Sequence, residues 1–375
     1  MCACLLSQKD GKVSPLAWNC EKKYIQSDFL KVEMMIVKKL KIENFRGIRN
    51  LELNFDESRM VAFIGFDTAV KTAVLAAMRY LLSWYVARLM SSMGRGIQIE
   101  LDDIDGGEGF GYLEMTVQIP EFENRMVRWS LLKKRSSCDK KIGRSANRGE
   151  LNDFVDSLLM RRTDGSEQDL SLVAFYPADR AVKDVPLQIH DSEALDPLDA
   201  FDGFRRGTEN FHSLFRWLRE REDLENEKRR DAGEGFTGDV QLNAFRTAIE
   251  VLLPGYRNFR VKRDTLSLMV EKNGTLLSFD LLPEEEMNYV ALMSDIARRL
   301  TMANPEASSL FGKTAIVMID EIELNTNPEL QSGLVSRLKK AFPQVQFFLT
   351  TQSPRIAKDL DCCRDSLLFN LDGKC

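Results

Sequence analysis

"FIGFDTAVKTAVLAAM", residues 63–78, changes its period where Gly65 ends an apolar run and Lys71-Thr72 opens a helical one. Met60 to Phe66 reads as a short buried strand, and the pattern from about Thr72 to Leu89 as a long amphipathic helix. Strand, short loop and helix with Lys-Thr at the junction is the layout of a phosphate-binding loop. In such a loop, backbone N–H groups wrap the phosphates, the lysine reaches the β- and γ-phosphates and the threonine hydroxyl binds Mg²⁺. Between Gly65 and Lys71, however, stand Phe66, Asp67, Thr68, Ala69 and Val70, with no glycine among them. Val70 is β-branched and a poor candidate for φ > 0, so its side chain is expected to fill space that phosphates need. Asp67 adds negative charge at the same place.

Far along the chain, TAIVMIDE (314–321) reads as a buried strand ending in two acids. Paired with Lys71-Thr72, this gives Asp320 the role of holding Mg²⁺ through water and Glu321 that of polarising an attacking water. An alternative for both acids is a charged strand end that hydrogen-bonds the rebuilt loop.

Outward from these elements, IVKKLKIENFRGIRNLELNF (36–55) alternates apolar and polar residues around NFRG and reads as a β-hairpin. GYLEMTVQI, RMVRWSLL and LVAFYP give further strands. From 196 to 253 the pattern turns helical, with Phe211, Leu214, Phe215 and Leu218 at helical spacing and a Gly-rich break at Ala232–Gly238. After this come strands around an Asn-Gly turn, the helix EEEMNYVALMSDIARRL, the helix SGLVSRLKKAF and the strand VQFFLTT. The implied organisation is an N-terminal extension (1–34), a first α/β part (35–195), an inserted helical hairpin (196–253) expected to project as a module, and a second α/β part (254–375).

Composition narrows the function classes. With 44% hydrophobic and 29% charged residues the chain is an ordinary globular protein, and its net charge of −5 confines any nucleic-acid contact to a local patch. TAVLAAMRYLLSWYVARLM (72–90) carries two arginines and is no membrane span. Seven cysteines without a repeated C-x-x-C pair and only two histidines, His190 and His212, argue against a zinc site. The absence of a charged-then-apolar leader points to the cytoplasm, where the thiols stay free.

Six blocks in order resemble the ABC/SMC-type AAA family ATPases of bacterial antiphage defence, the Septu and retron-associated ATPases. They are KLKIENFRGIRNLELNF, YLLSWYVARL, YPADRAVKDVPL, FRWLREREDLENE, NYVALMSDIARRL, and IVMIDEIEL through FPQVQFFLTTQSP. The resemblance implies an α/β head of the ABC-ATPase (P-loop NTPase) type with an inserted helical hairpin. It implies an oligomer of heads with ATP and Mg²⁺ between them, and an HNH-type nuclease as partner. Carried over by position, Arg46, Gly65, Lys71, Thr72 and Gln352 would bind nucleotide, Thr72 and Asp320 the metal, and Glu321 would be catalytic; for Arg46 the favoured reading is a turn arginine that pairs with a nearby acid. Gln352 stands where the family has its switch histidine, and Asn325 and Asn327 stand at two further histidine positions.

The departures are several. The family loop is approximately G-x-N-G-x-G-K-[ST]. The family signature, L-S-x-G-E, aligns with Leu282-Pro283-Glu284-Glu285-Glu286, where Pro283 removes a hydroxyl and a backbone donor. Glu285 puts a carboxylate where a glycine would face the γ-phosphate. Nucleotide binding is therefore expected to be weak or lost. Three readings stand: a pseudo-ATPase scaffold, an active ATPase driving or gating a nuclease, and a nucleic-acid-sensing clamp without hydrolysis. Phe215 and Leu218 are the candidate partner-binding edge. The basic stretch 128–148, with Trp129, is the candidate nucleic-acid contact, against the plainer reading of a solvated hairpin. Cys362-Cys363 reads as packing.

Overall fold

The computed structural model describes residues 35–119, 125–136, 142–163, 170–180, 196–204, 211–232, 236–310, 312–324, 326–361, 363 and 365–372. The expected extension 1–34, His190, Asn325, Cys362 and the second half of YPADRAVKDVPL lie outside these residues.

The first hairpin forms as its alternation predicts. β1 (Ile36–Phe45) and β2 (Ile48–Asn54) pair antiparallel with Phe45 opposite Ile48. Arg46 and Gly47 make the turn at φ 47° and 86°, the left-handed pair whose twist suits a two-residue hairpin. β3 (Met60–Ile64) leads into α1 (Thr68–Met90). β4 (Phe110–Ile119) and β5 (Arg125–Lys134) complete an antiparallel sheet in the order β2-β1-β4-β5. α2 (Gly149–Thr163) follows and packs on β5 and α1, and β6 (Leu172–Tyr176) comes next.

The helical stretch forms α3 (Phe211–Ala232) and α4 (Val240–Leu252). β7 (Tyr256–Lys262), β8 (Ser267–Lys272) and β9 (Thr275–Ser278) make a small antiparallel sheet, with Asn273 and Gly274 turning at φ 49° and 85°. Then come α5 (Glu284–Ala303), β10 (Ala315–Ile319), the short α6 (Pro328–Gln331), α7 (Leu334–Ala341), β11 (Val345–Thr350), α8 (Pro354–Asp361) and β12 (Ser366–Asn370).

Five of these strands form a parallel sheet ordered β12-β3-β11-β10-β6. Every residue of β10 and β11 is buried, which explains why both read as unbroken apolar runs. α1 packs against both the parallel and the antiparallel sheet and is buried round nearly its whole circumference. Gln346 of β11 stitches the two sheets. Its side chain accepts from the Val37 amide at 2.8 Å and donates to the Val37 and Ser58 carbonyls at 3.0 Å each.

The helical pair does not project. α3 and α4 pack on α5, and their apolar side chains belong to the same core as the sheets. Phe215, Trp217 and Leu218 are fully buried there. Burying a side chain of this kind contributes about 1.5–3 kcal/mol, so they serve the core. The expectation that Phe215 and Leu218 form an edge for a partner is corrected on this ground, since neither presents surface to one.

Candidate functional site

The loop between β3 and α1 sits at the carboxyl end of the parallel sheet, beside the ends of β10 and β11. Helix α1 starts at Thr68, four positions before its expected start. Without a glycine, nothing at Thr68, Ala69 and Val70 favours a positive φ, and Asp67 supplies an N-cap. Its carboxylate accepts from the amides of Ala69 at 2.9 Å and Val70 at 3.3 Å. Val70 is 4% exposed and packs into the core, so the expected obstruction by its side chain does not arise. Asp67 obstructs instead, because its oxygen stands at the helix N-terminus where a phosphate would be held.

A second carboxylate closes the loop from the other side. Leu371 donates to the carbonyl of Ile64 at 2.9 Å, and the next residue, Asp372, accepts from the Phe66 amide at 2.7 Å. Gly65 has φ +142°, and a Cβ there would lie 2.6 Å from the Asp372 carboxylate. The φ favours glycine here, and a side chain at 65 would push the Asp372 carboxylate off the loop. Phe66 itself is 94% exposed.

Lys71 is fully buried, and its Nζ donates to the Gly65 carbonyl at 2.5 Å. Its ammonium therefore ties the loop to itself. Thr72 donates from Oγ1 to Asp320 Oδ2 at 2.9 Å, and Thr350 donates to Asp320 Oδ1 at 2.5 Å. Both oxygens of this buried carboxylate are satisfied by hydroxyls. Thr350 Oγ1 in turn accepts from the Glu321 amide at 2.6 Å. Arg180, four residues past the end of β6, donates to the carbonyls of Asp320 at 2.5 Å and Glu321 at 2.6 Å.

These bonds hold Glu321 at φ 45°, a conformation that an L side chain adopts only when its surroundings impose it. Its side chain makes no hydrogen bond among the described residues. Burial, together with Asp320 and Glu323 nearby, pushes its carboxyl above the usual range. Gln352 reaches back to the loop, donating from Nε2 to Thr68 Oγ1 at 2.7 Å, while its amide donates to Glu323 at 2.5 Å.

The structure thus brings Gly65, Lys71, Thr72, Asp320, Glu321 and Gln352 together. Arg46 stands apart from them, in the favoured reading of a turn arginine. Arg46 pairs with Asp103 at 2.7 Å and donates to the Tyr80 hydroxyl at 2.9 Å, as a turn arginine bound to a neighbouring acid. Asp372, Thr350 and Arg180 were not singled out in the sequence. Thr350 had a local signal at the end of VQFFLTT, and Asp372 had none.

Two halves of the site behave differently. The metal-side half, Thr72 with Asp320, offers a hydroxyl and a carboxylate, oxygen groups of the kind Mg²⁺ takes. The phosphate-side half does not fit a triphosphate, because its amides at 66, 69 and 70 already serve two carboxylates. A third anion brought there would face Asp67 and Asp372 with repulsion instead of a cradle.

The signature position is similarly closed. Pro283 precedes α5 without a side-chain cap, and Glu284, Glu285 and Glu286 fill its first turn. These acids answer the helix dipole themselves. Glu286 is held by Lys272 at 2.5 Å and by the Tyr256 hydroxyl at 2.7 Å. Asn327 caps α6, accepting from Leu330 at 2.9 Å.

The basic stretch 128–148 runs from β5 into a loop whose described arginines have internal partners. Trp129 is fully buried with its Nε1 on the Leu81 carbonyl at 2.9 Å, so no base can stack on it. Arg144 grips Glu43 with two bonds of 2.6 and 2.5 Å, and Arg148 lies over the Trp84 ring. Cys363 is a free thiol packed against the core. Among the described residues no helix is long and apolar enough to cross a membrane.

Several known proteins are similar to this chain. The chain is 24% identical to the retron Ec83 probable ATPase of Escherichia coli over 88% of this chain and 70% of that protein. It is 23% identical to the retron Vc95 probable ATPase of Vibrio cholerae over 90% and 74%. A segment of 65 residues, 17% of this chain and 9% of the other, is 42% identical to the Septu protein PtuA of Bacillus mycoides. Among solved structures the SMC head domain from Thermotoga maritima aligns with 89% of this chain and 93% of its own, at 15% identity and a TM-score of 0.48. The family described as "AAA domain" matches residues 39–252, more than half of the chain. By that match, and with a parallel sheet carrying Lys71-Thr72 after β3 and Asp320-Glu321 after β10, one strand apart, the chain belongs to the AAA-domain family.

Proposed function

We propose that this protein is a degenerate ATPase head, a pseudo-ATPase of a bacterial antiphage defence system. It acts as an assembly or regulatory scaffold for a partner such as a nuclease. One observation carries the reading: the three loop amides at Phe66, Ala69 and Val70 are occupied by Asp372 and Asp67. The similarity to retron ATPases and to a Septu protein supports the defence setting. Calorimetric titration with MgATP tests it, and the expected result is no binding in the low-micromolar range. In the intact system, Lys71→Ala and Glu321→Gln should each leave biological activity nearly unchanged.

A second reading is favoured by the metal-side half, in which Thr72 and Asp320 are already aligned at 2.9 Å. Here the chain hydrolyses ATP and gates an HNH-type nuclease. Low-micromolar MgATP affinity would then be found, and both substitutions would collapse the activity by on the order of 10²–10³.

A further inference from the structure

The two carboxylates that close the loop reach it from different distances along the chain. Asp67 bonds the amides of Ala69 and Val70, two and three residues ahead of it, so its bonds form whenever α1 forms. Asp372 bonds the Phe66 amide across 306 positions, and only while the residues after β12 are seated beside β3. The first closure is built into the helix. The second is conditional.

The segment that carries Asp372 has a narrow attachment. β12 ends the sheet order beside β3, and its residues are half-buried or exposed where β10 and β11 are buried throughout. Phe369 ties the strand to the core, stacked on Phe63 at 5.8 Å and edge-on to Phe55 at the same distance. Asn370 is exposed, and its side chain accepts from the Asp372 amide at 2.9 Å, a local turn that makes 370–372 one unit. Leu371 seats that unit. Its side chain is buried, and its amide donates to the Ile64 carbonyl at 2.9 Å. Asp372 itself is exposed. Edge segments held by few buried contacts open before the body of a domain does.

We propose that residues 370–372 are an autoinhibitory latch on the loop. Seated, the latch holds the Asp372 carboxylate on the Phe66 amide. Unseated, it withdraws a negative charge and frees that amide for an anion of the phosphate class. Carboxylate and phosphate oxygens compete for the same backbone donor, so the seat of Leu371 decides which of them is admitted. The proposal rests on the reading that the chain's own carboxylates occupy the loop amides, and adds that one of the two is removable. Control of the loop then lies at the edge of the parallel sheet, away from Lys71 and Glu321.

Hydrogen exchange in the unaltered full chain tests this without any substitution. One opening frees both the Phe66 and the Leu371 amides, so the two should exchange together, roughly tenfold or more faster than the paired amides of β11. A Phe66 amide as protected as β11 overturns the latch. Calorimetry with MgATP and, separately, inorganic phosphate gives a second readout. Leu371→Ala keeps Asp372 but unseats it, and should raise affinity for at least one of these anions by roughly tenfold, as should Asp372→Ala. Asp372→Asn, which keeps an acceptor for the amide, should gain less. Circular dichroism checks the fold of Leu371→Ala, and the exchange result stands whether or not that variant folds. A gain in Asp372→Ala with none in folded Leu371→Ala shows a fixed charge in place of a latch and overturns the proposal. So does the absence of a gain in both. Those failures leave the pseudo-ATPase reading standing, whereas low-micromolar MgATP binding by the unaltered protein overturns that reading and the latch together.

Discussion

Asp372 accepts a hydrogen bond from the Phe66 amide at 2.7 Å, across almost the whole described length of the chain. An acid close to the end of the sequence therefore occupies the first amide of the loop that Gly65 opens. Replacing it tests how far the loop is closed by the chain's own anions. Asp372→Ala combined with Asp67→Ser keeps a helix cap and removes two negative charges. Affinity for MgATP, measured by calorimetry, should rise relative to the unaltered protein if these carboxylates are what excludes phosphate. If it stays undetectable, the loss of the glycines is by itself the cause.

Asp67 also has a stability role. Asp67→Ala removes the side-chain acceptor for two amides of α1 and should lower stability by about 1 kcal/mol. A shift of the urea midpoint with unchanged slope is the expected signature.

Thr350→Val is nearly isosteric but withdraws a hydroxyl from the buried carboxylate of Asp320 and from the Glu321 amide. It should cost about 1–3 kcal/mol, the usual penalty for leaving a buried polar group unpaired. Adding Asp320→Asn should recover part of this loss in a double-mutant cycle, since the amide tolerates the missing donor better than a carboxylate does.

Phe215→Ala should destabilise by about 3–5 kcal/mol, because it empties a fully buried ring position between α3 and the common core. Phe215→Asp with Leu218→Asp should prevent folding outright. A protein that remained folded with both acids would contradict the core role.

Among the groups that make stability depend on pH, Asp295 and Glu321 act in opposite directions. Burial pushes Asp295 up, but Arg298 and Arg299 outweigh it and hold its carboxyl down to about 2. They bind it at 2.7 and 2.6 Å. A depressed carboxyl stabilises above its unfolded value, about 3.9, and that stabilisation is lost as pH falls towards about 2. Glu321 runs the other way. Its raised carboxyl makes the ionised form costly in the folded state, so its contribution improves as pH falls through the raised value. Glu321→Gln should therefore raise stability at neutral pH and flatten this part of the profile, as urea titrations at a series of pH values would show.

Elements with a strong period were legible in the sequence, and those defined by distant contacts were not. The β1–β2 hairpin and the buried strands β10 and β11 announce themselves, one by alternation and the others by unbroken apolar runs. α2, α8 and β12 were passed over. GELNDFVDSLLMRRT follows a basic run that masked its helical spacing, and PRIAKDLD and SLLFN are too short to show a period. The start of α1 was placed late because Lys71-Thr72 imposed a glycine-loop template on residues that have no glycine. Asp67 as an N-cap was readable from local chemistry. Asp372 was not, since nothing local in a linear sequence joins positions 66 and 372. Phe215 and Leu218 were misplaced because a helical apolar stripe looks the same whether it meets a partner or its own core.

Gln346 gives the parallel sheet a mechanical property. It grips Val37 and Ser58 near the start of β11, Thr350 ends the same strand, and Gln352 follows two residues later. Four residues of strand span about 13 Å and cannot stretch. One strand, fixed on both sides by its pairing to β3 and β10, therefore carries the tie to the antiparallel sheet at one end and the hydroxyl that holds the Asp320 carboxylate at the other.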